Sequence, residues 1–202
     1  IYNSVKNVRE TQDAKLNKLK DMMLSLKDKG KILIFTYYTD TLIYLSESLQ
    51  NDKEFLKKLG KKIDRVYGAC PPNTRQKLVE GFLNGDTDIL ISTDILSEGQ
   101  NLQKAQILIN YDLHWNPTRM IQMAGRIDRI GSLFTDIYIY NFFPEDELED
   151  LLKLVNRLQS KINQINESIG LDASVLGEII NPKVFGALSV LKDGTEEEKK
   201  SL

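Results

Sequence analysis

The sequence predicts an α/β fold in which a mostly parallel sheet is covered by helices on both faces. Two observations carry that expectation. Short, almost continuously apolar runs recur along the chain, as in Lys31–Phe35, Asp88–Ser92 and Ile107–Tyr111, which is the pattern of strands buried on both faces. Between them lie stretches with apolar residues at helical spacing, and strand–helix alternation of this kind gives parallel pairing.

The elements follow in order. Leu16, Leu19, Met22, Met23 and Leu26 recur at helical spacing in a charged background, and Gly30 closes that helix. Lys31–Phe35 is the first strand, and a helix after Asp40 turns Leu42, Leu45 and Leu49 inward. Ile63–Tyr67 is the second strand. Pro72, suited to a first helical turn, opens a helix that runs to about Asn84 and stops at Gly85. Asp88–Ser92 and Ile107–Tyr111 are the third and fourth strands, and Ile137–Tyr140 the fifth, with a helix opened by Pro117 before it. Parallel sheets gather ligands at the carboxyl ends of their strands. Residues Thr36–Thr39, Ser92–Asp94 and Asp112 are therefore expected along one common edge. After Pro144 the pattern changes. Apolar residues from Leu148 to Ile169 alternate threes and fours, predicting one long helix that ends at Gly170. Packing onto the domain is favoured over a coiled-coil seam. The division expected is a lobe over 1–143 and a helical extension over 144–202, with a charged tail that frays.

Composition narrows the functional classes. The chain has 202 residues, a 41% hydrophobic and 28% charged composition and a formal net charge of -2. It can bury a sizeable core but projects no global basic field, so any nucleic-acid contact must be local. No apolar run nears the ~20 residues that span a bilayer, and no membrane partner is expected. The lone Cys70 forms no intramolecular disulfide and suits a cytoplasmic setting. His114, the only histidine, cannot build a His-based metal site alone, and nothing in the chain resembles a zinc motif or a Ser/His/Asp triad. The start at Ile1, without Met, suggests a piece of a longer protein.

The richest stretch is Gln122–Gly131. On a helix, Gln122, Arg126 and Arg129 share a polar stripe, flanked by an apolar one of Met120, Met123, Ile127 and Ile130. The apolar stripe anchors the helix and leaves two guanidiniums, each able to grip phosphate through paired hydrogen bonds.

In order along the chain, Lys31–Tyr37, Tyr67–Gly68 with Arg75 and Phe82, Asp88–Asp94 followed by Ser97–Leu102, Asn110–Pro117 with its Trp-Asn-Pro, and Gln122–Gly131 resemble the motifs of the second RecA-like lobe of superfamily 2 helicases. The Trp-Asn-Pro segment resembles the Swi/Snf branch of double-stranded nucleic-acid translocases. The Ser-Glu-Gly-x-Asn and Gly-Arg-Ile-Asp-Arg-Ile-Gly wording is most similar to bacterial RapA-like ATPases, which associate with RNA polymerase. The resemblance covers roughly residues 11–142 and departs at Ser132, where members often have Gln.

The resemblance implies a RecA-like three-layer sandwich and a role in ATP hydrolysis. It assigns the catalytic arginines to Arg126 and Arg129, with Arg129 as the finger on the transferring phosphate. Glu98, Gly99, Asn101 and Gln122 join them around the nucleotide, and Asp128 orients the arginines. Thr36, Tyr37, Gly68, Arg75, Thr93 and Trp115 fall to the nucleic-acid backbone, with Tyr37, Tyr38 and Trp115 as a stacking platform. ATP and Mg²⁺ are implied as ligands held mainly by a first lobe, because no Gly-x-x-x-x-Gly-Lys-Ser/Thr loop and no Asp-Glu-x-His segment occurs here. The expected partners are duplex DNA and that N-terminal RecA-like lobe. The competing expectations are an RNA-directed lobe of the same fold, or a non-catalytic module docking through a 145–169 helix.

Overall fold

The computed structural model describes residues 13–93, 95, 102–113, 116–127, 134, 136–144, 153 and 155–161. Helix α1 (Ala14–Leu26) is started by Asp13, whose Oδ1 accepts the Leu16 N–H at 2.9 Å, satisfying a donor that the first turn leaves without a partner. Strand β1 (Lys31–Phe35) follows Gly30, whose φ of 149 is a backbone that favours glycine; a Cβ there would also push on Gln106, whose Oε1 would lie at 2.6 Å. Then come α2 (Thr39–Asn51), α3 (Lys53–Leu59), β2 (Ile63–Val66), α4 (Pro72–Asn84), β3 (Ile89–Ser92), β4 (Ala105–Asn110), α5 (Pro117–Ile127) and β5 (Tyr138–Asn141). Gly85 closes α4 in the left-handed conformation, φ 104.

The strands form one parallel sheet in the order β2-β3-β1-β4-β5. Alternation along each strand builds the layers. Ile32 and Ile34, Ile89 and Ile91, and Ile107 and Ile109 face α1, α2 and α3, meeting Leu16, Leu19, Leu42, Leu45 and Phe55. Leu33 and Phe35, Leu90 and Leu108 face the other way, against Val79 and Phe82 of α4 and Met123 and Ile127 of α5. The result is the three-layer sandwich the sequence predicts.

Strand bounds shift by one or two residues from the sequence expectation, and two larger differences arise. Helix α3 is not anticipated, because its seven residues bury only Phe55 and Leu59, too few to mark a period. Asp52 specifies it instead: Oδ1 accepts the Phe55 N–H at 2.9 Å, and Oδ2 accepts from Lys20 Nζ at 2.8 Å. The Lys20 bond first and the Phe55 N–H second hold the Asp52 carboxyl below its ordinary range. A carboxylate depressed in the folded state stabilises at pH values above its unfolded pKa, and the contribution disappears as pH falls through the folded one. Asp52→Ala is accordingly expected to lower the unfolding free energy by about 1 kcal/mol near neutral pH. Denaturant titrations at neutral and acid pH should show the deficit shrinking in acid.

The single long helix expected from Leu148 to Ile169 is not continuous. Lys153 has φ 49, a left-handed backbone that an α-helix cannot pass through. Helix is described over residues 155–161, with Leu158 fully buried.

Candidate functional site

The sheet order places a switch point between β1 and β4: the chain leaves β1 toward β2 on one side and leaves β4 toward β5 on the other. Crevices at such points are where open α/β sheets bind ligands. Phe35 is in register with both Ser92 and Asn110, so the segments that follow these three strands emerge together, as expected. The Thr36 N–H donates to Ser92 O at 3.0 Å and the Tyr111 N–H to Phe35 O at 2.8 Å.

Thr36 lies at the mouth of this crevice but beneath its surface, 0% exposed, with its hydroxyl donating to Asp112 Oδ2 at 2.5 Å. Thr93 is also buried, and its N–H reaches Val66 O at 3.4 Å. The surface groups of this edge are different. Tyr37 is half-buried and packs edge-on against Tyr38, with ring centroids 5.0 Å apart; Tyr38 is 60% exposed. Gly68 is exposed in the turn after β2. Arg75 folds back on that turn, one guanidinium nitrogen donating to Cys70 O at 3.2 Å and to Gly68 O at 3.4 Å. In this arrangement it shapes the loop carrying Gly68.

Helix α5 presents the second set of groups. Met120, Met123 and Ile127 are buried, pinning one face as the sequence pattern predicts, while Gln122 and Gly125 are exposed and Arg126 half-buried. A Cβ at Gly125 would meet nothing within 4 Å, so the described residues give no internal reason for a glycine there. The Arg126 carbonyl accepts the Leu102 N–H at 3.3 Å. Leu102 stands just before β4, and Ala105 N–H bonds back to its carbonyl at 2.9 Å. Arg126 therefore sits toward the amino end of β4, away from the edge that carries Thr36. The predicted residues separate into two places: Thr36, Tyr37, Gly68, Arg75 and Thr93 by the carboxyl edge, and Gln122 and Arg126 on the outer face of α5. Glu98, Gly99, Asn101, Trp115, Asp128 and Arg129 lie outside the described residues. Sequence reasoning did not single out Lys15 of α1, which pairs with Asp112 at 3.1 Å; its only sequence signal was a cation at the start of a helix.

Among the described residues, no group of three His, Cys, Asp or Glu side chains could hold a metal ion. No helix among them is long and apolar enough to cross a membrane.

The model of the helicase conserved C-terminal domain family matches residues 14–131. The chain belongs to that family. This helicase C-terminal domain is 34% identical over 161 residues to a Bacillus subtilis protein named as the ATP-dependent helicase YqhH, covering 79% of this chain and 26% of the relative. It is 35% identical over 167 residues to the Helicase SWR1 of Saccharomyces cerevisiae, covering 79% of this chain and 10% of that protein. Among solved structures, the C-terminal part of the Fun30 ATPase domain superposes with a TM-score of 0.61 at 28% identity, covering 75% of this chain and 47% of that one. The chain spans about a quarter and a tenth of the length of these two curated relatives and just under half of that solved chain.

Proposed function

We propose that this helicase C-terminal domain is the second motor lobe of an ATP-dependent duplex-DNA translocase of the Swi/Snf branch. The observation that carries the reading is the two-faced helix α5: its apolar face is sealed into the lobe, while Gln122 and Gly125 are exposed and Arg126 is half-buried beside them. A nucleotide gripped by another lobe would meet this face. Gly125 leaves room for close approach, and Arg126 and Arg129 supply guanidiniums to the phosphates, with Arg129 on the transferring group. Gln122, Glu98, Gly99 and Asn101 complete the nucleotide's surroundings. The chain's likeness to SWR1 and to the Fun30 ATPase domain supports the choice of branch.

The nucleic-acid backbone runs along the carboxyl edge. Its first contacts are Tyr37, Gly68, Arg75 and Trp115, and Thr36 and Thr93 lie in the layer beneath. Such contacts position the strand without reading sequence. ATP and Mg²⁺ are held mainly by the phosphate loop and acidic segment of the first lobe in this reading. A protein partner, with RNA polymerase implied by the RapA-like wording, remains compatible with this arrangement, as does work in the cytoplasm.

The isolated chain is expected to hydrolyse no ATP. Joined to a first lobe bearing a phosphate loop, it should hydrolyse ATP with stimulation by duplex DNA. Steady-state ATPase assays with duplex DNA and with single-stranded RNA decide the matter. Stimulation by RNA alone would reassign the lobe to an RNA-directed motor, and hydrolysis by the isolated chain would defeat the division of labour.

A further inference from the structure

Among the described residues, Asp13 and Asp112 bring carboxylates to the crevice mouth between β1 and β4, at the edge where the proposed function places a polyanion. Asp13 is engaged within the fold: Oδ1 caps α1 at the Leu16 N–H, and Oδ2 accepts the Tyr44 hydroxyl at 2.8 Å. Asp112 is held differently. One of its oxygens takes the Thr36 hydroxyl at 2.5 Å, and the other faces Lys15 Nζ at 3.1 Å. The Lys15 ammonium also lies 4.1 Å from the Tyr111 ring centroid and 5.9 Å from that of Phe142, so aromatic faces hold it over the carboxylate. The Tyr111 hydroxyl is pushed up by burial and by the Asp13 and Asp112 carboxylates beside it, so it stays protonated and adds no negative charge.

A bare carboxylate here would repel phosphates within the Debye length, about 8 Å at physiological ionic strength. A hydroxyl donor such as Thr36 orients the carboxylate without cancelling its charge. Only a cation does that, and Lys15 is a cation in contact with it.

Resting on the reading of this edge as the nucleic-acid track, we propose that Lys15 is a charge-compensating positioning residue. It neutralises Asp112, so that the carboxylate can hold the Thr36 hydroxyl at the crevice mouth without repelling the nucleic-acid backbone.

The test is a charge cycle in a two-lobed protein carrying this chain: Lys15→Met, Asp112→Asn and both together. The half-saturating duplex-DNA concentration and the turnover at saturating DNA are read from ATPase assays at low and high salt. Asp112→Asn keeps an oxygen that can accept the Thr36 hydroxyl and removes only the charge. Lys15→Met should raise the half-saturating DNA concentration by about three- to tenfold at low salt, with the shift shrinking at high salt and saturated turnover unchanged. The double variant should return to within about twofold of wild type. Lys15→Gln, uncharged but still able to donate to Asp112, should repeat the Lys15→Met shift and serves if the methionine variant folds poorly. An unrescued loss in the double variant would make Lys15 a direct phosphate contact and overturn the proposal, as would an unchanged DNA requirement or a fall in saturated turnover. Absence of DNA stimulation in the wild-type protein is a separate outcome: it defeats the edge reading, and this inference with it.

Discussion

Arg129→Ala, made in a two-lobed protein that carries this chain, is expected to lower ATP turnover by about 10³-fold or more. A guanidinium that meets charge developing on the transferring phosphate acts mainly in the transition state. The loss should therefore appear equally in kcat and kcat/KM, with little change in KM for ATP. Arg126→Ala should show a loss of similar kind. Arg126→Ala should not unfold the lobe, since α5 is held by Met120, Met123 and Ile127 and the Arg126 contact with Leu102 is made by a backbone carbonyl. Lysine at either position keeps the charge but loses the planar fork, and should recover only part of the activity. Single-turnover assays with melting curves separate the alternatives. Turnover within about tenfold of wild type for Arg129→Ala would remove the finger assignment, and a parallel loss of melting temperature would make the effect structural.

The second large effect is on stability. Phe82 is 0% exposed on α4, in the core layer with Val66, Leu90, Leu108 and Leu33. Its ring also lies 5.1 Å from Lys31 Nζ. Phe82→Ala removes the largest side chain α4 contributes and leaves a cavity that a rigid parallel sheet cannot collapse into, at a cost of about 3–5 kcal/mol. Against total stabilities of roughly 5–15 kcal/mol for domains in general, that is enough to unfold a marginal lobe. Denaturant unfolding of the chain should show a lowered midpoint with an unchanged slope. A midpoint at the wild-type value would mean that α4 is not seated on the sheet as described.

The strand Lys31–Phe35 was readable in the sequence because burial on both faces requires an unbroken apolar run, and α4 because proline and glycine mark its ends. The buried face of α5 was readable from the spacing of Met120, Met123 and Ile127. Helix α3 was not, because its signal is one capping aspartate and two buried side chains. The run from Leu148 to Ile169 read as one helix because periodicity reports side chains and is blind to the left-handed backbone at Lys153. Arg126 and Thr36 both carried a motif, but nothing in the motifs said that they lie toward opposite ends of the sheet.

The chain's local chemistry was thus set by the amino-acid order alone: apolar periods, caps and breakers act over a few residues, and so does the placing of Arg126 on its helix. The pairing order β2-β3-β1-β4-β5, and with it the crevice between β1 and β4, depended on long-range packing. So did the meeting of Lys15 with Asp112, 97 residues apart, because a hydrogen bond between distant segments leaves no period in the sequence. The burial of Thr36 belongs with them: whether a hydroxyl at a strand end faces solvent or a carboxylate is decided only when another strand's end arrives beside it.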